Sequence, residues 1–250
     1  IEKYFSEGTL SNEEIRDGMR KAAKDSYLKT VPVFVTSGAK NVGTVPLMEA
    51  LNVYVRPPAE RRVRVIDAAG NEDFLTAPQS DDGPLAAYVF KTVNDRFVGT
   101  LNFFRIFSGS IKSGGTFYNV DSNTDEKFNA LLTMRGKEQI TVTTLHAGDI
   151  GVVAKLNHTK TGDTFTVRSK PLHIAKPEFP DPLFAVAVLP RTQADSAKMG
   201  VVLTGLCQAD PTLRWRQDPD VKQTIIEGMG EAHVNLAISR AHRLGTNMDM

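Results

Sequence analysis

Cysteine is nearly absent from this sequence of 250 residues, with Cys207 the single example. One thiol excludes an internal disulfide framework and fits a reducing compartment. Its neighbours Val202, Leu203 and Leu206 predict a buried, inert sulfur rather than a nucleophile. No apolar run is long enough to span a membrane. The opening Ile1-Glu2-Lys3-Tyr4 is no signal peptide and has no initiator methionine, which suggests a piece of a longer chain. Excess charge is also missing: 30 Lys and Arg against 29 Asp and Glu leave a formal net charge of +1. Bulk charge therefore gives no case for nucleic acid, and any RNA contact must come from local patches. His146, His158, His173, His233 and His242 have no metal-ligand spacing, and no cysteine pair supplements them. His233 and His242, nine apart on one expected helix, do not share a face. Asp81-Asp82 and Asp125-Glu126 lie in turn-like sequence and read as solvated. With no acid–base or nucleophile constellation in view, a metabolic α/β enzyme is disfavoured.

What is present changes character along the chain. Residues 11–28 predict a helix, opened by a Ser11…Glu14 capping box and striped by Ile15, Met19, Ala22 and Ala23. Val31-Pro32-Val33-Phe34-Val35-Thr36 is a short apolar run of the kind found in buried parallel strands. The loop Ser37–Gly43 follows, then a helix capped by Thr44 and running to about Tyr54. Helix, strand, loop, helix is one slice of an α/β domain, too small to make a doubly wound sheet alone. Arg56-Pro57-Pro58 ends it. Residues 59–83 are polar and turn-rich, a linker with room for one hairpin or edge strand. Residues 84–178 carry short β-like runs at regular spacing, which predict a closed all-β barrel. Within them, His146-Ala147-Gly148-Asp149 and Thr161-Gly162-Asp163-Thr164 read as the same tight turn used twice.

From residue 179 the period changes again. A strand at Leu183–Leu189 precedes a helix capped by Thr192 with Asp195, which Pro211 stops. Strands at Thr212–Arg216 and Gln223–Ile226 lead through Gly228-Met229-Gly230 into a helix striped by Val234, Ala237, Ile238, Ala241 and Leu244. The order β-α-β-β-α is that of a ferredoxin-like, split βαβ domain whose last strand is incomplete at Thr246–Met250. Arg214 and Arg216 alternate on one strand face, and Arg240 and Arg243 are neighbours on the last helix. Both pairs read as a solvated face or as contacts to RNA phosphates.

The stretch Phe97–Gly109 organises the middle of the chain. Leu101, Phe103, Arg105 and Phe107 face one way, and Asn102, Phe104 and Ile106 the other, so both faces are largely apolar. Gly99 interrupts the large residues and should mark a bulge, bend or close approach. With the preceding Gly83–Asp95, this stretch resembles the start of the second domain of the elongation factor G family of translational GTPases. Asp95-Arg96 stands where that family has Asp-Pro. Two further motifs follow the family order. Ser37-Gly38-Ala39-Lys40 resembles the fifth guanine-recognition motif of GTPases, with Gly38 for the usual alanine. Gly228-Met229-Gly230-Glu231-Ala232-His233 resembles the family's Gly-Met-Gly-Glu-Leu-His.

The resemblance implies a division into the end of a GTPase domain (1–58), a linker (59–83), a barrel domain (84–178) and most of a third domain (179–250). It implies a cytoplasmic, monomeric factor that binds the ribosome and couples GTP hydrolysis to tRNA–mRNA translocation. GTP or GDP and magnesium would bind the full-length protein. Ser37, Gly38, Ala39 and Lys40 would supply one edge of the guanine pocket, and Gly99, Arg105, Gly228, Gly230 and Glu231 ribosome or interdomain contacts. No catalytic residue is implied here, because the phosphate loop G-x-x-x-x-G-K-[ST], the magnesium-side Asp-x-x-Gly and the Asn-Lys-x-Asp guanine reader precede these motifs in the family. Two other readings remain open: a ribosomal protection protein or paralogue with altered activity, and a non-enzymatic ribosome- or RNA-binding module.

Overall fold

The computed structural model describes residues 2–24, 30–55, 57, 62–67, 69–76, 83–95 and 98–250. They divide into two units, Ile1–Arg61 and Arg62–Met250. In the first unit, local signals set the helices α1 (Glu2–Glu7), α2 (Asn12–Lys24) and α3 (Thr44–Tyr54). The capping box of α2 forms as expected, with Glu14 N–H donating to Ser11 Oγ (3.2 Å) and Ser11 N–H to the Glu14 carboxylate (2.8 Å). A hydrogen bond from Lys3 and those from Ser11 pull the Glu14 carboxyl down to about 2. The expected continuation of this helix to residue 28, and Arg56 and Pro58 after α3, lie outside the described residues. Thr44 is not the cap of α3. Gly43 holds that place with φ 73°, and the Thr44 hydroxyl donates to Asn41 Oδ1.

Val31–Thr36 does not form the expected buried strand. It carries no regular secondary structure and no ladder, and Val33 and Val35 are 84% and 95% exposed. A parallel strand is held by neighbours, and the described residues of this unit supply none.

The second unit opens with an antiparallel hairpin, β1 (Arg62–Asp67) and β2 (Glu72–Thr76). There follow β3 (Ala86–Asp95), β4 (Gly99–Ser108), β5 (Ile111–Lys112), β6 (Thr116–Asn119), β7 (Thr124–Lys127) and β8 (Leu131–Arg135). Then come β9 (Glu138–Val142), β10 (Thr144–Leu145), β11 (Ile150–Ala154), β12 (Thr164–Thr166) and β13 (Leu172–Ile174). Eight of these make one sheet in the order β7-β6-β12-β3-β4-β11-β8-β9, while β13 returns to pair with β1. The expected closed barrel is not what the hydrogen bonding shows, since the order runs from β7 to β9 without joining them. Both ends still reach one core. Phe128, just past β7, and Val142 of β9 pack with Phe104, Phe117 and Phe165. Side-chain packing gathers the strands around a shared interior, and the ladder stays open.

β4 runs through the centre of this sheet. Asn102, Phe104 and Ile106 are fully buried on one face, while Leu101, Phe103 and Phe107 join separate clusters on the other. Phe97 lies outside the described residues, and the strand begins at Gly99. The two Gly-Asp turns are one device used twice. Asp149 Oδ2 accepts His146 N–H (2.8 Å), and Asp163 Oδ2 accepts Lys160 N–H (3.0 Å). Each turn then bonds a long strand in both directions: Gly148 and Asp149 to Ile106, Gly162 and Asp163 to Val89.

The remainder is β14 (Phe184–Pro190), α4 (Gln193–Ala209), β15 (Arg214–Gln217), β16 (Thr224–Gly228), α5 (Glu231–Arg243) and β17 (Met248–Asp249). The sheet order β15-β16-β14-β17, antiparallel throughout, is the split βαβ arrangement. α4 starts as expected, with Asp195 N–H donating to Thr192 Oγ1 (3.1 Å). The last strand is only two residues long, yet it pairs with Leu189 and Pro190. It buries Met248, and an Arg191–Asp249 ion pair holds its end. Met248 joins Val188, Leu203, Ile226, Val234 and Ala241 in a core separate from that of the large sheet.

Phe165 is the test of the large core. It is fully buried, with its ring centroid 3.7 Å from that of Phe117 and 5.7 Å from that of Phe104. Phe165→Ala should cost about 3–5 kcal/mol in urea denaturation of this chain. A loss no larger than that of a surface substitution would show that the stacked rings do not hold the sheet.

Candidate functional site

Each expected site residue has a definite local setting. Ser37 and Val42 exchange backbone hydrogen bonds (2.9 and 3.0 Å) around a turn in which Asn41 N–H reaches Gly38 O (3.2 Å) and Asn41 takes φ 52°. Gly38, Ala39 and Lys40 stand exposed at its tip. Gly99 sits at the β3–β4 connection with φ 89°, beside Val98 N–H on Asp95 Oδ1 (2.9 Å) and Thr100 Oγ1 on Asn94 Oδ1 (3.2 Å). Arg105 lies mid-strand on β4, part-buried, with its guanidinium carbon 5.6 Å from the Phe107 ring centroid. Gly99, Arg105 and the Gly228–Glu231 motif are not gathered around one point. They are spread over the large sheet and the split βαβ layer that follows it.

The glycine motif is organised by a residue that sequence reading set aside. Gly228 ends β16, and a Cβ there would stand 3.1 Å from His233 Nδ1 and 3.0 Å from Val234 Cγ2. Gly230 is ordinary extended backbone at the start of α5, and Glu231 is exposed in the first turn, where a carboxylate complements the helix dipole. His233 folds back so that Nδ1 accepts Met229 N–H (3.1 Å). That contact assigns the ring proton to Nε2, which donates to Asp210 Oδ2 at 3.0 Å. Asp210 closes α4, its N–H on Leu206 O and its Oδ1 accepting the Thr212 N–H (3.0 Å) and hydroxyl (2.6 Å).

The same helix end meets the large sheet. Thr161 N–H donates to Gln208 O (2.9 Å) and the Thr161 hydroxyl to Ala209 O (3.2 Å). One turn earlier, α4 approaches the sheet so closely that a Cβ on Gly205 would lie 3.0 Å from Asn94 Nδ2. Behind Thr161 the loop is fixed by buried polar groups. Asn119 Nδ2 donates to Asp163 Oδ2 (2.9 Å) and Thr159 Oγ1 (3.1 Å). Glu126 accepts from Thr159 Oγ1 (3.1 Å) and His158 N–H (2.7 Å). Asn102 Nδ2 donates to Thr92 Oγ1 (3.1 Å). Glu126 is thus not solvated as expected but 4% exposed, because the loop wraps its carboxylate; Asp81-Asp82 lie outside the described residues. The Gly-Asp wording at residues 162–163 was the one available signal for this cluster. Cys207 is half-buried rather than buried as expected, and burial and Asp210 push its thiol up to about 11, which disfavours the nucleophilic form.

Two outcomes follow. Gly99 has open space around it, the nearest atom to an added Cβ being Lys155 Cγ at 3.9 Å, so its requirement is conformational. Gly99→Val should cost about 1–3 kcal/mol, and Gly99→Asn much less, because asparagine tolerates positive φ. Equal thermal melts for the two variants would remove that explanation. For Asp210, burial raises the carboxyl, but hydrogen bonds from Thr212 and His233 outweigh it and hold it below the usual carboxylate range. A depressed carboxylate stabilises above its unfolded value, near 4, and the gain is lost as pH falls through the folded value. Asp210→Asn should therefore be less stable than the parent at pH 7, with the gap closing in acid. A gap independent of pH in urea titrations would contradict this.

Comparison with known families agrees with this architecture. The family model for elongation factor G domain 2 matches residues 84–168, and that for elongation factor G domain III matches residues 179–250. A crystal structure of a protein from Thermus thermophilus superposes with a TM-score of 0.76 at 24% identity, covering 99% of this chain and 34% of that one. The chain therefore spans about a third of the length of that protein. With two consecutive family domains that together take in more than half of its residues, the chain belongs to the elongation factor G family of translation factors.

Proposed function

We propose that the protein carrying this chain is a ribosome-binding GTPase that couples GTP hydrolysis to the movement of tRNA and mRNA. The observation that carries the reading is the pair of family domains in family order, joined through the end of α4 by Thr161. In this reading residues 1–58 are the tail of the GTPase domain. The exposed backbone of Gly38–Lys40 suits one edge of a guanine base, with Ser37 at its root. In this reading magnesium and the phosphates are held by the phosphate loop of the GTPase domain, elsewhere in the protein. The role of residues 84–250 is then mechanical. The Asp210–His233 contact and the Thr161 contact connect the glycine motif to the large sheet, so a push on one is felt at the other.

Isothermal calorimetry on this chain should find GTP and GDP binding weaker than about 10 μM, because phosphate and magnesium contacts supply most triphosphate affinity. The intact protein should hydrolyse GTP on ribosomes and advance the mRNA in a toeprint assay. Tight binding by the chain alone would place a complete nucleotide site within these residues. Absence of ribosome-stimulated hydrolysis by the intact protein would overturn the functional reading.

A further inference from the structure

His233 is pulled two ways. Nδ1 accepts Met229 N–H at 3.1 Å, a contact that only the neutral ring makes. Nε2 stands 3.0 Å from Asp210 Oδ2, a contact that the charged ring makes more strongly. The ring is confined between them. Its side chain is 21% exposed, and it lies so close to Gly228 that a Cβ there would stand 3.1 Å from Nδ1 and 3.5 Å from Cγ.

Among the described residues, Asp210 is the charged group that the ring touches. The others stand on the elements around it. α4 also brings Cys207, whose thiol burial and Asp210 keep protonated. β16 brings Glu227, engaged by Arg216 of β15 (3.1 Å). On α5 itself Glu231 is exposed two positions earlier, and Arg240, His242 and Arg243 lie in the last turn. Lys91 of β3 lines one cleft with Asp210, Arg240 and Arg243. β17 brings Asp249, which Arg191 engages.

We propose that His233 is a pH-sensitive latch on the Gly228–Glu231 motif: neutral, it holds Met229; protonated, it keeps Asp210 and lets Met229 go. A proton added at Nδ1 turns the acceptor into a donor that faces another donor, so the contact with Met229 N–H is lost. Nε2 still donates to the carboxylate, now as a charge-assisted pair. Met229 is 36% exposed, so water can take its N–H once the ring releases it. The bond to Met229 is therefore present above the pH at which the ring titrates and lost as pH falls through it. The latch draws nothing from the proposed function, so its failure leaves that reading as it stands.

The test is nitrogen–proton NMR of this chain between about pH 5 and 8, the range in which histidine ordinarily changes charge. The His233 ring nitrogens report its protonation, and the Met229 amide reports the bond. Protection of that amide against hydrogen exchange, corrected for the intrinsic rate at each pH, should fall by about two- to tenfold as His233 takes its proton, the equivalent of one hydrogen bond. The Thr212 amide, which donates to Asp210 Oδ1, should keep its protection. His233→Asn places an amide oxygen that does not titrate about where Nδ1 stands, and should keep Met229 protected across the range. His233→Gln removes that acceptor and should leave the Met229 amide unprotected throughout. Asp210→Asn should move the transition to lower pH, because the carboxylate favours the charged ring. Met229 protection that ignores the charge of His233, or a transition that persists in His233→Asn, overturns the proposal. So does an unmoved transition in Asp210→Asn, or loss of Thr212 protection together with that of Met229, which would mean that the whole helix end opens.

Discussion

A helix cannot satisfy the carbonyls of its own last turn, and the second unit is arranged around where those of α4 find donors. Gln208 O and Ala209 O take theirs from Thr161, which belongs to a loop of the large sheet. Asp210, the next residue, turns its carboxylate the other way, to Thr212 and to His233 at the start of α5. One helix end therefore joins three pieces: the sheet, the returning strand and the glycine motif. Had an ordinary glycine cap followed Ala209, the carbonyls could have been closed within the helix's own layer.

The loop can act as a donor only because it is held rigidly from behind. Glu126, Asp163, Asn119 and Thr159 are all buried, and their hydrogen bonds converge on residues 157–163. This rigidity has a cost that runs opposite in sign to that of Asp210. Burial raises the Asp163 carboxyl above its usual range, and the hydrogen bonds from Asn119 and Lys160 offset only part of the rise. A group with a raised carboxylate value binds its proton more readily folded than unfolded, so its contribution to stability weakens as pH rises through that range. The two carboxylates on either side of the Thr161 contact thus pull the acid limb of stability in opposite directions.

What could be read from the sequence was what is local. The capping boxes at Ser11 and Thr192, the repeated Gly-Asp turn and the alternating faces of β4 depend on residues a few positions apart, and each appears as expected. Val31–Thr36 misled because its apolar pattern states what a strand would bury and not whether a neighbour exists. Glu126 misled because a charge in turn-like sequence looks solvated, while its donors come from residues 157–159, thirty positions on. His233 and Asp210 are 23 residues apart, and nothing in either segment announces the other. Ladder closure was beyond pattern altogether: strand spacing suggests a barrel, but whether the two edge strands pair depends on how Phe128 and Val142 pack.

The two largest buried clusters of the second unit gather around Phe104 and Phe165 and around Leu203 and Val234. Between them stand the two Thr161 hydrogen bonds and the close approach of Gly205 to Asn94. Hydrogen bonds of this kind contribute about 0.5–1.5 kcal/mol each, against tens for a core. The pair is therefore worth about 1–3 kcal/mol, and the packing of α4 against β3 adds to it. The small residue at Gly205 then has a physical reason. A Cβ there would stand 3.0 Å from Asn94 Nδ2, so that side chain would have to give before α4 could come as close to the sheet.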